Sequence, residues 1–237
     1  GTCRNRDDID ASKPHVLRFK NPLEGTISWD DCVKGTITFQ NSELDDVVIL
    51  RANSTPTYNF TVVVDDYDMQ ITDVIRGDDH VNNTPRQINI LTALGAHIPR
   101  YAHIPMILAH DGTRLSKRHG AESVMAYRDQ GYLPQALLNY LFRLGFAYQD
   151  QEIFTRIDMI KCFDIKKVHK APGIFNSAKL NWLNQHYIKY LPIDTLRPHL
   201  VPQLQQLQLN PNDGPNFEAL IPEMAVRAQT LSLLAKK

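Results

Sequence analysis

Two short apolar runs, Ile71–Ile75 and Tyr101–Leu108, flank a segment that opens on Thr84-Pro85 and closes at Gly95. Threonine before proline is a strong helix start, with threonine as cap and proline at the first helical position. Ile88, Leu91 and Leu94 then recur on one face, and Gly95 supplies a left-handed stop. Strand, helix and strand in that order predict a parallel βαβ unit, the second half of a Rossmann-like sheet. Open α/β sheets bind ligands beyond the carboxyl ends of their strands. Phe60–Val64, a continuous apolar run ended by Asp65-Asp66, reads as a further strand buried on both faces.

The second strand of this unit runs into an Asp111-Gly112 turn, Arg114, and then Leu115-Ser116-Lys117-Arg118-His119-Gly120. Cations neutralise charge on a leaving phosphate, and a glycine lets the backbone come close to it. The loop therefore suits a triphosphate, although composition alone favours a solvated basic turn. Arg76 ends a strand beside Gly77 and can present a planar fork to a carboxylate. The competing reading is a structural ion pair with Asp73, Asp78 or Asp79. Asp78, Asp79 and His80 are adjacent on an extended segment and point to opposite faces, so no metal site is expected there.

On either side the patterns differ. Val16–Lys20, Gly25–Trp29, Gly35–Gln40 and Val47–Arg51 are β-rich runs separated by turn residues, and they predict a small antiparallel unit over 14–55. Thr36-Ile37-Thr38-Phe39 alternates, so one face should be buried. After Gly120 the signals are helical: Ala121–Asp129, a helix from Pro134 striped by Leu137, Leu138, Leu141 and Leu144, one capped by Thr155, and one capped by Asn176-Ser177 and striped by Leu180, Leu183, Tyr187 and Tyr190. Two more helices are expected over 193–237, separated by the loop 210–215. Net charge is +0, so an RNA site would have to be a local basic stripe; Lys166, Lys167 and Lys170 form the densest one. Cys3, Cys32 and Cys162 lack CxxC spacing, which argues against zinc and disulfides and suits a reducing compartment. No apolar run is long enough to span a membrane. The chain starts at Gly1 without an initiator Met or a signal-like segment and is expected to be part of a larger enzyme.

Four separated stretches occur in a telling order: Pro56-Thr57-Tyr58-Asn59-Phe60, Val62-Val63-Val64-Asp65-Asp66, the run from Asp73 through Arg76-Gly77-Asp78-Asp79-His80 to Gln87, and Leu115–Gly120. This series resembles bacterial glutamyl-tRNA synthetase, a class I aminoacyl-tRNA synthetase, from about Lys13 to about Tyr190. The loop corresponds to the "KMSKS" signature, with Arg114 in place of its first lysine. The "HIGH"-type signature does not occur in these residues. The resemblance implies an α/β plus all-α fold: the end of an acceptor-binding β insertion over 1–55, the second half of the Rossmann-like catalytic domain over 56–120, a helical stem-contact domain over 121–192, and the start of a helical anticodon-binding domain over 193–237.

It implies ATP-dependent activation of glutamate and transfer to the 3′ end of the glutamate tRNA, in a cytoplasmic and monomeric enzyme with no membrane partner. Lys117 and Arg114 would be catalytic. Tyr58 and Arg76 would hold glutamate. Asp79, His80, Met106, Ile107, Ser116, Lys117 and Arg118 would bind ATP, which brings Mg²⁺ as the nucleotide complex. Lys166, Lys167 and Lys170 would meet tRNA phosphates. This chain alone is expected to be inactive. The alternatives are a non-catalytic tRNA-binding fragment or paralogue, and a ligase that glutamylates a modified tRNA base. Glutaminyl-tRNA synthetase is a closer cousin, but the Arg76–Gln87 stretch is of the glutamyl type.

Overall fold

The structure, a computed structural model, describes residues 4–5, 12–115, 123–211, 213 and 216–236. The chain forms two compact units, Gly1–Pro105 and Met106–Lys237.

The first unit contains β1 (Leu17–Arg18), β2 (Thr26–Asp31), β3 (Gly35–Gln40), β4 (Val48–Leu50), α1 (Tyr58–Asp68), β5 (Asp73–Gly77), α2 (Thr84–Ala93) and β6 (Arg100–Ile104). β5 and β6 pair in parallel, Asp73 opposite Arg100 through Gly77 opposite Ile104, with α2 as the crossover. That is the expected βαβ unit. Gly95 follows the helix at φ +65°, as the stop signal requires. β2 and β3 form an antiparallel hairpin, and β1 pairs antiparallel with β4. The hairpin has no core of its own. Trp29, with Ile27, Ile37 and Phe39 around it, packs on Ile88 of α2 and Tyr101 of β6.

Two expectations need correction here. Phe60–Val64 is not a strand: it lies inside α1. Its β-branched residues favour a strand locally, but tertiary packing overrides that preference. Val63 is buried against Ile90 and Leu91 of α2, and Phe60 and Val62 pack at the edge of the same cluster. Thr61 folds its hydroxyl back onto the carbonyls of Thr57 and Tyr58, which a helical turn allows. Thr84 does not cap α2. The cap position is Asn83, and the Thr84 hydroxyl is engaged elsewhere.

The second unit contains β7 (Ile107–Leu108), α3 (Val124–Asp129), α4 (Pro134–Gly145), α5 (Arg156–Cys162), β8 (Gly173–Ile174), α6 (Ser177–Tyr190), α7 (Ile193–Gln206), α8 (Phe217–Ala225) and α9 (Leu231–Ala235). The run Tyr101–Leu108 is thus two strands. Pro105, which has no N–H for a ladder, separates β6 from β7. β7 pairs in parallel with β8.

α5 starts in a full capping box between Thr155 and Asp158. The buried face of α4 is Ala136, Leu137 and Tyr140, preceded by Leu133, while Leu138 and Leu141 are exposed. On α6, Leu180, Leu183 and Tyr187 are buried and Tyr190 is exposed. Among the described residues, 193–237 hold three helices instead of two. Leu196 and Leu200 of α7, Ile221 of α8 and Leu231 of α9 share one core with Leu133 and Ile188. Among the described residues, no helix is long and apolar enough to cross a membrane.

Candidate functional site

The first unit gathers polar side chains beyond the carboxyl end of β5. Arg76 is the last strand residue before Gly77, and the 3-10 turn Asp78–Asn83 leads into α2. Nε of Arg76 donates to Nε2 of His103 at 3.2 Å. Nη2 donates to the Thr84 hydroxyl and to Oε1 of Gln87, both at 2.8 Å. Gln87 then donates to Oδ1 of Asn59 at 2.9 Å. The guanidinium carbon also lies 5.7 Å from the centre of the Tyr101 ring. All three hydrogen-bond acceptors are neutral. Two of the carboxylates near it in sequence are paired elsewhere, Asp73 to Arg100 at 2.7 Å and Asp78 to Lys34 at 2.8 Å, and Asp66 acts on Arg76 through its charge alone. A fork held by neutral groups keeps its charge for an incoming anion.

Tyr58 opens α1 at the rim of this network. Its hydroxyl lies 3.5 Å from Nδ1 of His80, with ring centroids 5.7 Å apart. Asn83 Nδ2 is 3.2 Å from the same nitrogen, and the His80 carbonyl accepts from Thr84 at 3.3 Å. Tyr58, Arg76 and His80 therefore belong to one connected set. Asp79 lies beside it on the exposed side of the 3-10 turn. Val62, on α1, contributes only apolar packing.

Beneath Arg76 sits a buried pair that sequence reasoning missed. Nδ1 of His103 lies 2.5 Å from Oδ2 of Asp31, and both side chains are fully enclosed. Oδ1 of Asp31 accepts the backbone N–H groups of Val33, Lys34 and His103. Burial alone would raise the Asp31 pKa. The bonds from Lys34, the His103 ring, and the His103 and Val33 backbones outweigh it and hold the carboxyl below its usual value. Burial lowers the pKa of His103, the bond and charge of Asp31 raise it, Arg76 adds to the lowering, and the net shift is downward. The pair is thus a carboxylate and a neutral imidazole. Burial raises Tyr101, stacked 6.1 Å from His103, to about 12, so its hydroxyl stays protonated. Asp66 is also raised by burial, against the pull of Arg76. The available signal for the pair was a histidine in an otherwise apolar strand and an aspartate closing a hairpin strand.

In the second unit, Ile107 to Ala109 turns back on itself. Ala109 N–H bonds to the Thr113 carbonyl at 2.8 Å and Leu115 N–H to the Ile107 carbonyl at 3.0 Å. Asp111 caps the turn by accepting the Thr113 N–H and hydroxyl, and Gly112 takes φ +79°. Met106 and Ile107 are half-buried at the base of this hairpin, and Arg114 is exposed on its returning arm. Ser116, Lys117, Arg118, His119 and Gly120 lie outside the described residues. Ala109, Asp111 and Leu115 line one side of an open cleft of about 550 Å³, with Tyr127, Tyr132 and Phe175 on the other. Lys166, Lys167 and Lys170 are all exposed around Val168, which is buried and anchors the segment by bridging to Phe146. Among the described residues, no three His, Cys, Asp or Glu side chains come together as metal ligands.

The parallel βαβ unit with Arg76 at its strand end is of the class I synthetase catalytic-domain type. The chain belongs to the family of tRNA synthetases class I (E and Q), whose catalytic domain matches residues 3–182. It is 54% identical over all 237 residues to glutamate–tRNA ligase 2 of Coxiella burnetii (strain Dugway 5J108-111), covering 50% of that protein. The same identity and coverage hold for glutamate–tRNA ligase 1 of Coxiella burnetii (strain RSA 493 / Nine Mile phase I). The chain spans about half the length of the curated relatives it matches. Among solved structures it is similar to the glutamate–tRNA synthetase of Elizabethkingia anophelis, with a TM-score of 0.80 and 31% identity over 94% of this chain and 49% of the other. A glutamate tRNA ligase from Elizabethkingia meningosepticum, solved in complex with its amino acid, matches with a TM-score of 0.81 and 31% identity over 94% and 48%.

Proposed function

We propose that this chain is part of a glutamate–tRNA ligase, which activates glutamate with ATP and transfers it to the 3′ end of the glutamate tRNA. The observation that carries this reading is Arg76, a half-buried guanidinium held by three neutral acceptors at the end of β5, with its Nη1 edge left for a carboxylate. The glutamate–tRNA ligase names of relatives 54% identical to it support the substrate. Arg76 and Tyr58 bind glutamate.

The glutamate α-carboxylate attacks the α-phosphate of ATP, giving glutamyl-adenylate and pyrophosphate. A ribose hydroxyl of the terminal tRNA adenosine then takes the acyl group and releases AMP. The first step needs no protein nucleophile, because positioning and charge stabilisation suffice. Lys117 stabilises the pyrophosphate side, with Arg114, Ser116 and Arg118 in the same field. Asp79, His80 and the backbones of Met106 and Ile107 hold the nucleoside. Magnesium comes with ATP, held by its phosphates. Residues 1–55 end the acceptor-binding insertion, 56–120 complete the catalytic half, and 121–192 and 193–237 contact the tRNA stem and begin the anticodon-binding part. Lys166, Lys167 and Lys170 touch tRNA phosphates. The enzyme works as a cytoplasmic monomer.

The test is charging by the full-length protein, with intact and with periodate-oxidised tRNA. The expected result is glutamate on intact tRNA and none on the oxidised 3′ end. Glutamate attached equally to both would point to modification of a base. Tight tRNA binding without charging would point to a non-catalytic binding protein.

A further inference from the structure

Arginine has five N–H donors and no acceptor. In Arg76 three are used inward, by His103, Thr84 and Gln87, and the two on Nη1 have no hydrogen-bond partner among the described residues. Because the Arg76 Nε–H can only donate, the His103 nitrogen facing it must offer a lone pair. The ring proton therefore sits on Nδ1, facing Asp31 at 2.5 Å. The Thr84 hydroxyl, 3.0 Å from the same Nε2, accepts from Arg76 and gives its one proton to the His80 carbonyl, which leaves the Nε2 lone pair to Arg76. Asp31 cannot turn away, because its second oxygen is held by three backbone N–H groups. A buried carboxylate–imidazole pair of this kind is weak evidence for stability, since apolar residues of similar volume often serve as well. Beyond the hydroxyl of Thr84, what it reaches is Arg76.

We infer that Asp31 and His103 are positioning residues for Arg76: the carboxylate fixes the imidazole tautomer, and the bare Nε2 of that tautomer holds the guanidinium so that Nη1 meets the substrate carboxylate. This rests on the reading of Arg76 as a glutamate-binding residue. Neither residue touches substrate. Asp31→Asn keeps the shape and the oxygen that the backbone holds, but sets an amide N–H against Nδ1. That moves the ring proton to Nε2, where it opposes the Arg76 N–H. The same substitution in the triad of serine proteases, a known case of this physics, leaves the geometry intact with the wrong tautomer.

The experiment is steady-state glutamate charging by the full-length protein carrying Asp31→Asn, His103→Phe, His103→Gln or Arg76→Gln. Asp31→Asn and His103→Phe should each raise the glutamate KM about 10–100-fold, the scale for removing a group that orients a ligand-binding residue, and leave the ATP KM unchanged. His103→Gln, which can return an acceptor oxygen to Arg76, should recover most of the loss seen in His103→Phe. A purely structural role would lower thermal stability without separating the two KM values. If Arg76→Gln raises the glutamate KM while folded Asp31→Asn and His103→Phe do not, the positioning role is overturned and the glutamate reading stands. If Arg76→Gln changes nothing, both fall. Should the variants fail to fold, ¹⁵N NMR of the unsubstituted protein decides. A protonated Nδ1 and bare Nε2 on His103 at neutral pH are expected, and a protonated Nε2 overturns the inference.

Discussion

Asp78 pairs with Lys34, Nζ to Oδ2 at 2.8 Å, and not with Arg76 two positions before it. Asp73, three positions before Arg76, is likewise taken by Arg100. The hydrogen-bond acceptors of the arginine are all neutral. Lysine has no planar fork and cannot satisfy His103, Thr84 and Gln87 together. Arg76→Lys should therefore raise the glutamate KM roughly 10–100-fold, the scale for misplacing a ligand-binding group, with the ATP KM unchanged. Steady-state charging by the full-length protein checks this, and an unchanged glutamate KM would remove Arg76 from the amino-acid site.

The Asp31–His103 pair sets a direction for stability with pH. His103 has its pKa pulled below 6.5 by burial, so the unfolded chain takes up a proton that the folded ring refuses. Its contribution is complete above pH 6.5 and declines as pH falls below that value, by at most about 1.4 kcal/mol per pH unit. Asp31, held below 3.8, adds a loss of the same sign only in strong acid. Denaturant unfolding at pH 7.5, 6.5 and 5.5 should show a smaller drop across the lower interval in His103→Phe than in the unsubstituted protein. Equal drops would mean that His103 is not buried neutral.

Gly131 follows α3 at φ +86°, and a Cβ there would fall on the backbone of Ser232 and Leu231 at the start of α9. Gly131→Ala carries both a backbone penalty and a clash that no side-chain rotation relieves, together roughly 2–4 kcal/mol. Gly112→Ala, at φ +79° in open space, carries only the backbone cost of about 1 kcal/mol. Equilibrium unfolding of the two variants should rank them in that order, and the reverse order would contradict the packing of α9 on the turn.

Asn139, fully buried on α4, accepts from Phe154 N–H at 2.9 Å and the Tyr187 hydroxyl at 2.8 Å and donates to the Glu152 carbonyl at 3.0 Å. Asn139→Leu fits the space but leaves backbone groups unpaired in the helical core. A loss of about 2–5 kcal/mol is expected. A shift of the unfolding midpoint within error would show that water or rearrangement replaces these bonds.

The βαβ unit is legible because its signals are local: Thr84-Pro85, the apolar stripe, and Gly95. Phe60–Val64 misleads for the same reason. Three consecutive valines favour a strand, and what decides otherwise is burial of Val63 on Ile90 and Leu91, which lie far along the chain. Thr84 reads as a cap until Arg76 claims its hydroxyl. Asp31 and His103 escape sequence reasoning because their meaning lies in a contact across 72 positions. Arg76, Tyr58 and His80 stand out in a motif, and the structure adds that one hydrogen-bonded set links them.

The most direct measurement is glutamate charging of its tRNA by the full-length protein, with and without Lys117→Ala. Charging by the unsubstituted protein and a loss of about a hundredfold or more in the variant, the scale for removing one transition-state charge partner, with folding intact, is the expected result. Equal charging by both would make the basic loop a solvated turn, and no charging by either would contradict the ligase assignment.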